Sequence, residues 1–70
     1  MRLVVELERE TDGRWIADVV AMPGVMAYGA TRENALAAAQ ALALRVVADR
    51  LEHGEVPSEP VDVSFTVAAA

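Results

Sequence analysis

Acidic residues at alternate positions near the start of the chain are the first candidates for chemistry. Glu6, Glu8 and Glu10 occur at i, i+2 and i+4, and with Asp18 and Asp62 they could line one face of a sheet and bind a divalent cation. Charged side chains on the solvent face of a half-buried sheet are also what solubility requires. No histidine, lysine or amide is near them in the sequence to complete a metal-dependent hydrolase. We therefore interpret these carboxylates as exposed surface and expect no metal site.

The other residue types that carry catalysis are sparse. His53 is the only histidine, and its i, i+4 spacing from Asp49 near the end of a predicted helix favours a capping role over catalysis. The only serines, Ser58 and Ser64, are in no nucleophile-elbow pattern. There is no cysteine, and the glycines have no phosphate-loop spacing. The sequence therefore predicts no catalytic residue and no cofactor-binding residue.

Composition limits the classes of partner. The chain has 70 residues, enough for one domain, and a net charge of −5 from 11 acidic and 6 basic residues. An acidic chain lacks the basic field that holds nucleic acid, whereas a basic protein would meet a complementary surface. The hydrophobic fraction of 54% is high for so small a chain, which favours a homo-oligomer. No membrane span or signal peptide is evident, and we expect a cytoplasmic protein.

The first half of the chain has the alternation of a β-hairpin. Residues 2–10 place leucine and valine on one face and glutamate on the other, and residues 15–20 predict a second strand after an Asp-Gly turn. For the apolar residues of both strands to share a face, paired residue numbers must have an even sum. A tight two-residue loop would place Leu7 opposite Asp18 and bury a charge, so we predict a bulged turn with an odd number of residues.

A third strand and a helix follow. The Pro23-Gly24 pair ends strand two, residues 25–28 predict a short edge strand, and Gly29 frees the chain for the next turn. Thr31 is a good N-cap for a helix over residues 32–53, with Gly54 as its C′ residue. The apolar arc of this helix is too wide for one sheet face to cover. Either a flank packs on another chain, which we favour, or the many alanines let the helix lie close to its own sheet.

The final strand completes the predicted fold. Residues 61–67 alternate cleanly, and we expect Ala68 to Ala70 to be frayed. The order β-β-β-α-β predicts an α+β fold with one four-stranded, mainly antiparallel sheet in the order 3-2-1-4. One long helix covers one face, and strand four lies parallel to strand one.

The order and spacing of four short runs resemble the N-terminal domain of HicB-type antitoxins. The runs are WIADV, MPGV, YGATRENAL and LEHGEVPSEP, and together they extend over essentially the whole chain. The resemblance implies a partly degraded ribonuclease-H-like fold without the nuclease's complete acidic site. It also implies binding and neutralisation of HicA, a small basic toxin that cleaves mRNA. Many family members continue into a C-terminal DNA-binding domain, but here we expect one HicB-like domain over residues 1–70 and no such extension.

The leading hypothesis is therefore a non-enzymatic antitoxin domain, with no direct contact to nucleic acid or membrane. The alternatives are a stand-alone homo-oligomeric interaction module of the same fold without a toxin, and, less favoured, a metal-dependent nuclease. The possible toxin-facing acidic surface comprises Glu6, Glu8 and Asp18. The possible oligomer interface comprises Met26, Ala27, Tyr28, Leu42 and Val46.

Overall fold

The computed structural model describes residues 1–55 and 59–69, of which the side chain of residue 69 is not described. It contains the predicted β-β-β-α-β order, namely β1 (Arg2–Arg9), β2 (Trp15–Val19), β3 (Met26–Gly29), α1 (Arg32–Glu52) and β4 (Ser64–Ala69). The four strands form one sheet in the order β3-β2-β1-β4. β1 pairs antiparallel with β2 and parallel with β4, and β2 pairs antiparallel with β3. The predicted α+β fold and strand order are thus confirmed.

The β1–β2 register follows the predicted parity. Val5 lies opposite Val19 and Leu7 opposite Ala17, so each pair of residue numbers has an even sum. The loop holds three residues, because the Glu10 N–H donates to the Arg14 carbonyl at 2.7 Å and closes the ladder there. Gly13 has φ +92°, the left-handed conformation that a three-residue loop with a bulge requires. The odd, bulged loop is confirmed.

A salt bridge supports the same loop. The Asp12 carboxylate accepts hydrogen bonds from the Arg14 main-chain N–H at 3.0 Å and from Arg14 Nε at 2.7 Å. The main-chain bond first, and then the side-chain bond, hold the pKa of Asp12 below its usual value. Both side chains are exposed, so the pair orders the loop and adds little to stability.

Two consecutive turns connect β2 to β3. The Met22 N–H donates to the Val19 carbonyl, and the Val25 N–H donates to the Met22 carbonyl, both at 3.0 Å. Pro23 and Gly24 are the central residues of the second turn, and Gly24 has φ +84°, which fits a type II turn. The buried side chains of Met22 and Val25 anchor the connection. β3 begins one residue later than predicted, at Met26.

The helix packs on the sheet through small side chains. Its buried residues are Ala35, Ala39, Ala43 and Val47, which recur every fourth position and form one stripe. The sheet contributes Leu3, Val5, Leu7, Ala17 and Val19 to the same core, and the β2–β3 connection contributes Met22 and Val25. The alanine stripe lets α1 lie close to its own sheet, which was the less favoured of our two alternatives.

Gly29 lies very close to the first turn of the helix. A Cβ atom placed on Gly29 would lie 2.9 Å from Ala35 Cα and from the Asn34 carbonyl carbon, and nearer still to Ala35 N. Unlike Gly13, Gly24 and Gly54, Gly29 does not have a positive φ. The prediction that Gly29 frees the chain is therefore wrong. A glycine is needed here because the first turn of α1 leaves no room for a side chain.

Both ends of α1 carry capping interactions. The Thr31 hydroxyl accepts the Asn34 N–H at 3.0 Å, which confirms the predicted N-cap. At the other end, Gly54 has φ +69° and donates its N–H to the Leu51 carbonyl, while Glu55 donates to the Arg50 carbonyl at 2.8 Å. This pair of bonds is a Schellman motif with Gly54 at C′, as predicted. The helix ends at Glu52, one residue earlier than expected.

The last strand differs from the prediction at both ends. β4 comprises Ser64–Ala69, so residues 61–63 lie outside it. Ala68 and Ala69 belong to the strand, because they pair with Glu6 and Leu7 of β1. The expectation that Ala68 and Ala69 are frayed is wrong, and Ala70 lies outside the described residues. Pairing with β1 holds these alanines in the sheet despite their low strand propensity.

The helix does not cover the sheet evenly. α1 packs mainly on β3 and β2 and less on β1, and it makes little contact with β4. The chain exposes 4691 Å². A compact 7.5 kDa monomer exposes roughly 4250 Å² by the usual mass scaling. The exposed surface is thus about 10% larger than expected, which agrees with the uneven cover of the sheet by α1.

Candidate functional site

The face of the sheet that points away from α1 is the candidate functional site, and we call it the open face. Its side chains come from even-numbered positions on all four strands, because the register places even residues opposite even residues. The open face comprises Arg2, Val4, Glu6, Glu8, Ile16, Asp18, Met26, Tyr28, Ser64, Thr66 and Ala68. The described residues form no pocket.

Three carboxylates lie close together on the open face. Glu6 is directly opposite Asp18 on the neighbouring strand, and Glu8 follows two residues along β1 on the same side. Like charges in directly opposite positions repel each other. Among residues 1–55 and 59–69, the salt bridges involve Arg14 with Asp12 and His53 with Asp49, and none reaches these three carboxylates. Among the described residues, the charge of these three carboxylates is therefore not offset by an ion pair, and Arg2 is the one basic residue in the open-face set.

The two other carboxylates proposed for this surface lie elsewhere. Glu10 belongs to the hairpin end, where its main chain closes the loop with Arg14. Asp62 precedes β4, and its main-chain carbonyl accepts a hydrogen bond from the N-terminal amino group of Met1. The register thus brings Glu6, Glu8 and Asp18 together and leaves the remaining two apart from them.

Apolar side chains surround the acidic group on the side of β3. Ile16 lies opposite Tyr28, and Asp18 lies opposite Met26, so Asp18 has an apolar neighbour across the strands and another along β2. Tyr28 is 49% exposed and Met26 is 43% exposed, which is high for such large apolar groups. The Arg14 guanidinium stacks over the Tyr28 ring at 4.5 Å from its centroid. A carboxylate with apolar neighbours suits the charged head and aliphatic stem of an arginine or lysine.

The predicted oligomer residues belong to two elements, with Met26, Ala27 and Tyr28 on β3 and Leu42 and Val46 on α1. Met26 and Tyr28 point from the open face, while Ala27 is half-buried and packs against the core on the helix side. Leu42 and Val46 are half-buried on α1 and also pack against the core. Only Met26 and Tyr28 of this set are therefore well exposed, and the role of all five in an interface stays a prediction.

A cluster that the sequence reading did not identify lies at the C-terminal end of α1. Ligand atoms of Asp49, His53 and Glu55 all lie within 4.8 Å of one another. His53 Nδ1 is 2.7 Å from the Asp49 carbonyl oxygen and 3.3 Å from Asp49 Oδ1, so the ring caps the helix as predicted. The Schellman turn brings Glu55 back towards them, and the i, i+4 spacing followed by Gly54 was the available signal. All three residues are exposed, and capping accounts for their arrangement.

Comparison with family models, with curated proteins and with solved structures found no match. Within the part of the chain that the structure describes, no helix combines the length and the apolar character needed to cross a membrane.

Proposed function

We propose that this chain is a non-catalytic, cytoplasmic, HicB-like antitoxin that binds and neutralises a small basic toxin of the HicA type, which cleaves mRNA. The observation that carries the proposal is the direct cross-strand pairing of Glu6 with Asp18, with Glu8 beside them, on the open face. Two carboxylates in opposite positions destabilise the free sheet. A cationic partner relieves that repulsion when it binds.

The surroundings of Asp18 support a protein partner rather than a free cation. An arginine from the partner can donate to Asp18 and Glu6 while its aliphatic stem packs on Ile16 and Met26. Tyr28 at the same edge of the face is the type of residue that anchors protein interfaces. The mixed apolar and acidic character of the open face therefore favours a folded basic protein as the ligand. The net charge of −5 on this chain accelerates association with such a protein.

The test is co-expression with a small basic protein encoded beside this chain. Rescue from toxicity together with co-purification supports the proposal, whereas a toxin that stays lethal and unbound refutes it. Reversing charge with Asp18→Lys and Glu6→Lys should slow association about tenfold or more and reduce its salt dependence. Glu52→Lys is the matched control, because it makes the same charge change at an exposed position on α1, on the opposite side of the sheet.

The alternative is a stand-alone homo-oligomeric module without a toxin. The observation that favours it is the surface of 4691 Å², which exceeds that of a compact monomer of this mass. Under this alternative the chain self-associates and the adjacent basic protein does not bind. Absence of RNA or DNA cleavage with magnesium or manganese is expected under both.

A further inference from the structure

The two edges of the sheet differ in length, charge and cover. β4 spans Ser64–Ala69 and contains no charged residue and no proline. β3, at the opposite edge, has four residues and lies beneath α1. Proteins normally protect an edge strand by shortness, by charge or proline, or by covering it. β3 has two of these protections, whereas β4 has no charge or proline and, among the described residues, little cover from α1.

The apolar layer beneath the helix continues to the free edge of β4. Phe65 lies beside Leu3 and Val67 lies beside Val5, so all four side chains are on the helix side of the sheet. Leu3 and Val5 are 3% and 0% exposed, but Val67 is 42% exposed and Phe65 is only half-buried. The difference arises because α1 lies mainly over β3 and β2 and makes little contact with β4. Among the described residues, the exposed apolar surface at β4 is therefore part of the core layer that the helix leaves largely uncovered.

The main-chain groups of β4 alternate between its two sides. The Ser64 N–H donates to the Met1 carbonyl at 2.9 Å, so the N–H and C=O of residue 64 point towards β1. In an extended strand the next residue points its N–H and C=O the other way. Phe65 and Val67 therefore direct their N–H and C=O groups away from β1, along the free edge.

We propose that the free edge of β4 pairs antiparallel with β4 of a second copy of this chain, which joins the two sheets into one. A second copy is the occupant because β4 is uncharged and can pair antiparallel with its own equivalent, so two copies of this acidic chain meet there without like charges facing each other. A basic partner gains no electrostatic attraction from this edge, and the acidic open face offers it one. This inference does not depend on the proposed function.

Symmetry and register limit which residues can meet. A two-fold axis perpendicular to the joined sheet keeps both helices on the same side, so helix-side residues must face helix-side residues. Centring the axis on Thr66 places Phe65 opposite Val67 of the second copy, and both residues direct their main-chain groups across the new edge. Thr66 then lies opposite its own equivalent on the open face. Aromatic with β-branched pairs and threonine pairs are among the favourable cross-strand combinations.

The test measures the solution mass of the full chain over a range of concentrations, by sedimentation or light scattering. The unmodified chain should form a dimer. Val67→Lys adds a charge at the paired edge and should weaken dimerisation at least about tenfold, since each dimer contains the change twice. Val20→Lys is the matched control, because Val20 is also an exposed valine, at 52% against 42% for Val67, and it follows β2, two strands away from β4. It should leave the dimer intact.

Hydrogen exchange supplies a second measurement that needs no variant. In the dimer, the amides of Phe65 and Val67 should be protected, and dilution to the monomer should remove that protection. This measurement decides the question if Val67→Lys does not fold. A chain that stays monomeric at high concentration overturns the proposal. So does a dimer that withstands Val67→Lys, or one in which these two amides exchange as freely as in the monomer.

Discussion

Replacing Gly29 with alanine tests the close contact between β3 and the first turn of α1. The new methyl group would sit 2.9 Å from Ala35 Cα and from the Asn34 carbonyl carbon. Carbon atoms that are not bonded pack at roughly 3.5–4.0 Å, so about 0.6–1.1 Å of space is missing. The obstructing atoms are main chain, and a side-chain rotation cannot relieve the clash. The helix must move, which opens the contacts of its buried alanine stripe.

The expected loss of stability in Gly29→Ala is a large part of the free energy of unfolding. Overpacking a core lowers the free energy of unfolding by about 1–3 kcal/mol. Replacing glycine with alanine also lowers the conformational entropy of the unfolded chain, which raises the free energy of unfolding by about 0.4–1 kcal/mol. Because the clash is with rigid main chain, we expect a net loss of about 2 kcal/mol for Gly29→Ala. A 70-residue chain has a free energy of unfolding of roughly 3.5–10 kcal/mol, so this loss is a large fraction of it. The melting temperature should fall by about 8–16 °C.

Gly54→Ala is the matched control for Gly29→Ala. Gly54 has φ +69° and no atom within 4 Å of its hypothetical Cβ, so this change carries backbone strain of about 1 kcal/mol and no clash. The assay is urea unfolding followed by circular dichroism, at one fixed protein concentration because self-association shifts apparent stability. A Gly29→Ala variant that is as stable as Gly54→Ala would refute the close-approach reasoning.

Four further changes test local features. Thr31→Ala removes the helix cap and should lower the free energy of unfolding by about 1 kcal/mol in urea titrations. An unchanged free energy of unfolding would contradict the capping role. Glu6→Gln relieves the repulsion with Asp18, so the free protein should gain about 0.2–1 kcal/mol in the same titrations while toxin binding weakens; a loss of stability would argue against that repulsion. The pKa of Asp12 is lowered in the folded state, so its stabilising contribution is present above the unfolded value of 3.8 and disappears as pH falls through the folded value. Between pH 6 and pH 2 the melting temperature should fall less for Asp12→Asn than for the unmodified chain. Identical pH profiles would contradict this. Zinc should leave the melting temperature unchanged, whereas a zinc-dependent rise abolished by His53→Ala would identify a metal site.

Alternation made the sheet predictable from sequence. A strand has a side-chain period of two, so the requirement that apolar faces coincide predicts the even register and the odd loop length from the sequence alone. The same register placed Glu6 near Asp18. The apolar neighbours of Asp18 were harder to foresee, because the pairing of Asp18 with Met26 depends on how the two turns around Pro23 fold.

Tertiary contacts explain what the sequence reading missed. Gly29 has no local signal that distinguishes close packing from conformational freedom, because only the position of α1 excludes a side chain. Ala68 and Ala69 have weak strand propensity, but their register against β1 places them in the sheet. How much of the sheet α1 covers also depends on where the helix lies. The spacing of apolar residues in the sequence does not specify that position.

The parallel pairing of β1 with β4 also has a consequence for folding kinetics. Leu3 pairs with Phe65, so these contacts close a loop of about sixty residues, whereas both hairpins and the helix form from neighbours in sequence. We expect the three-stranded sheet with α1 to assemble first and the addition of β4 to limit the rate. Until then the other side of β1 is itself an unpaired edge. Delayed docking of β4 is therefore the step at which this chain is most exposed to strand exchange between molecules.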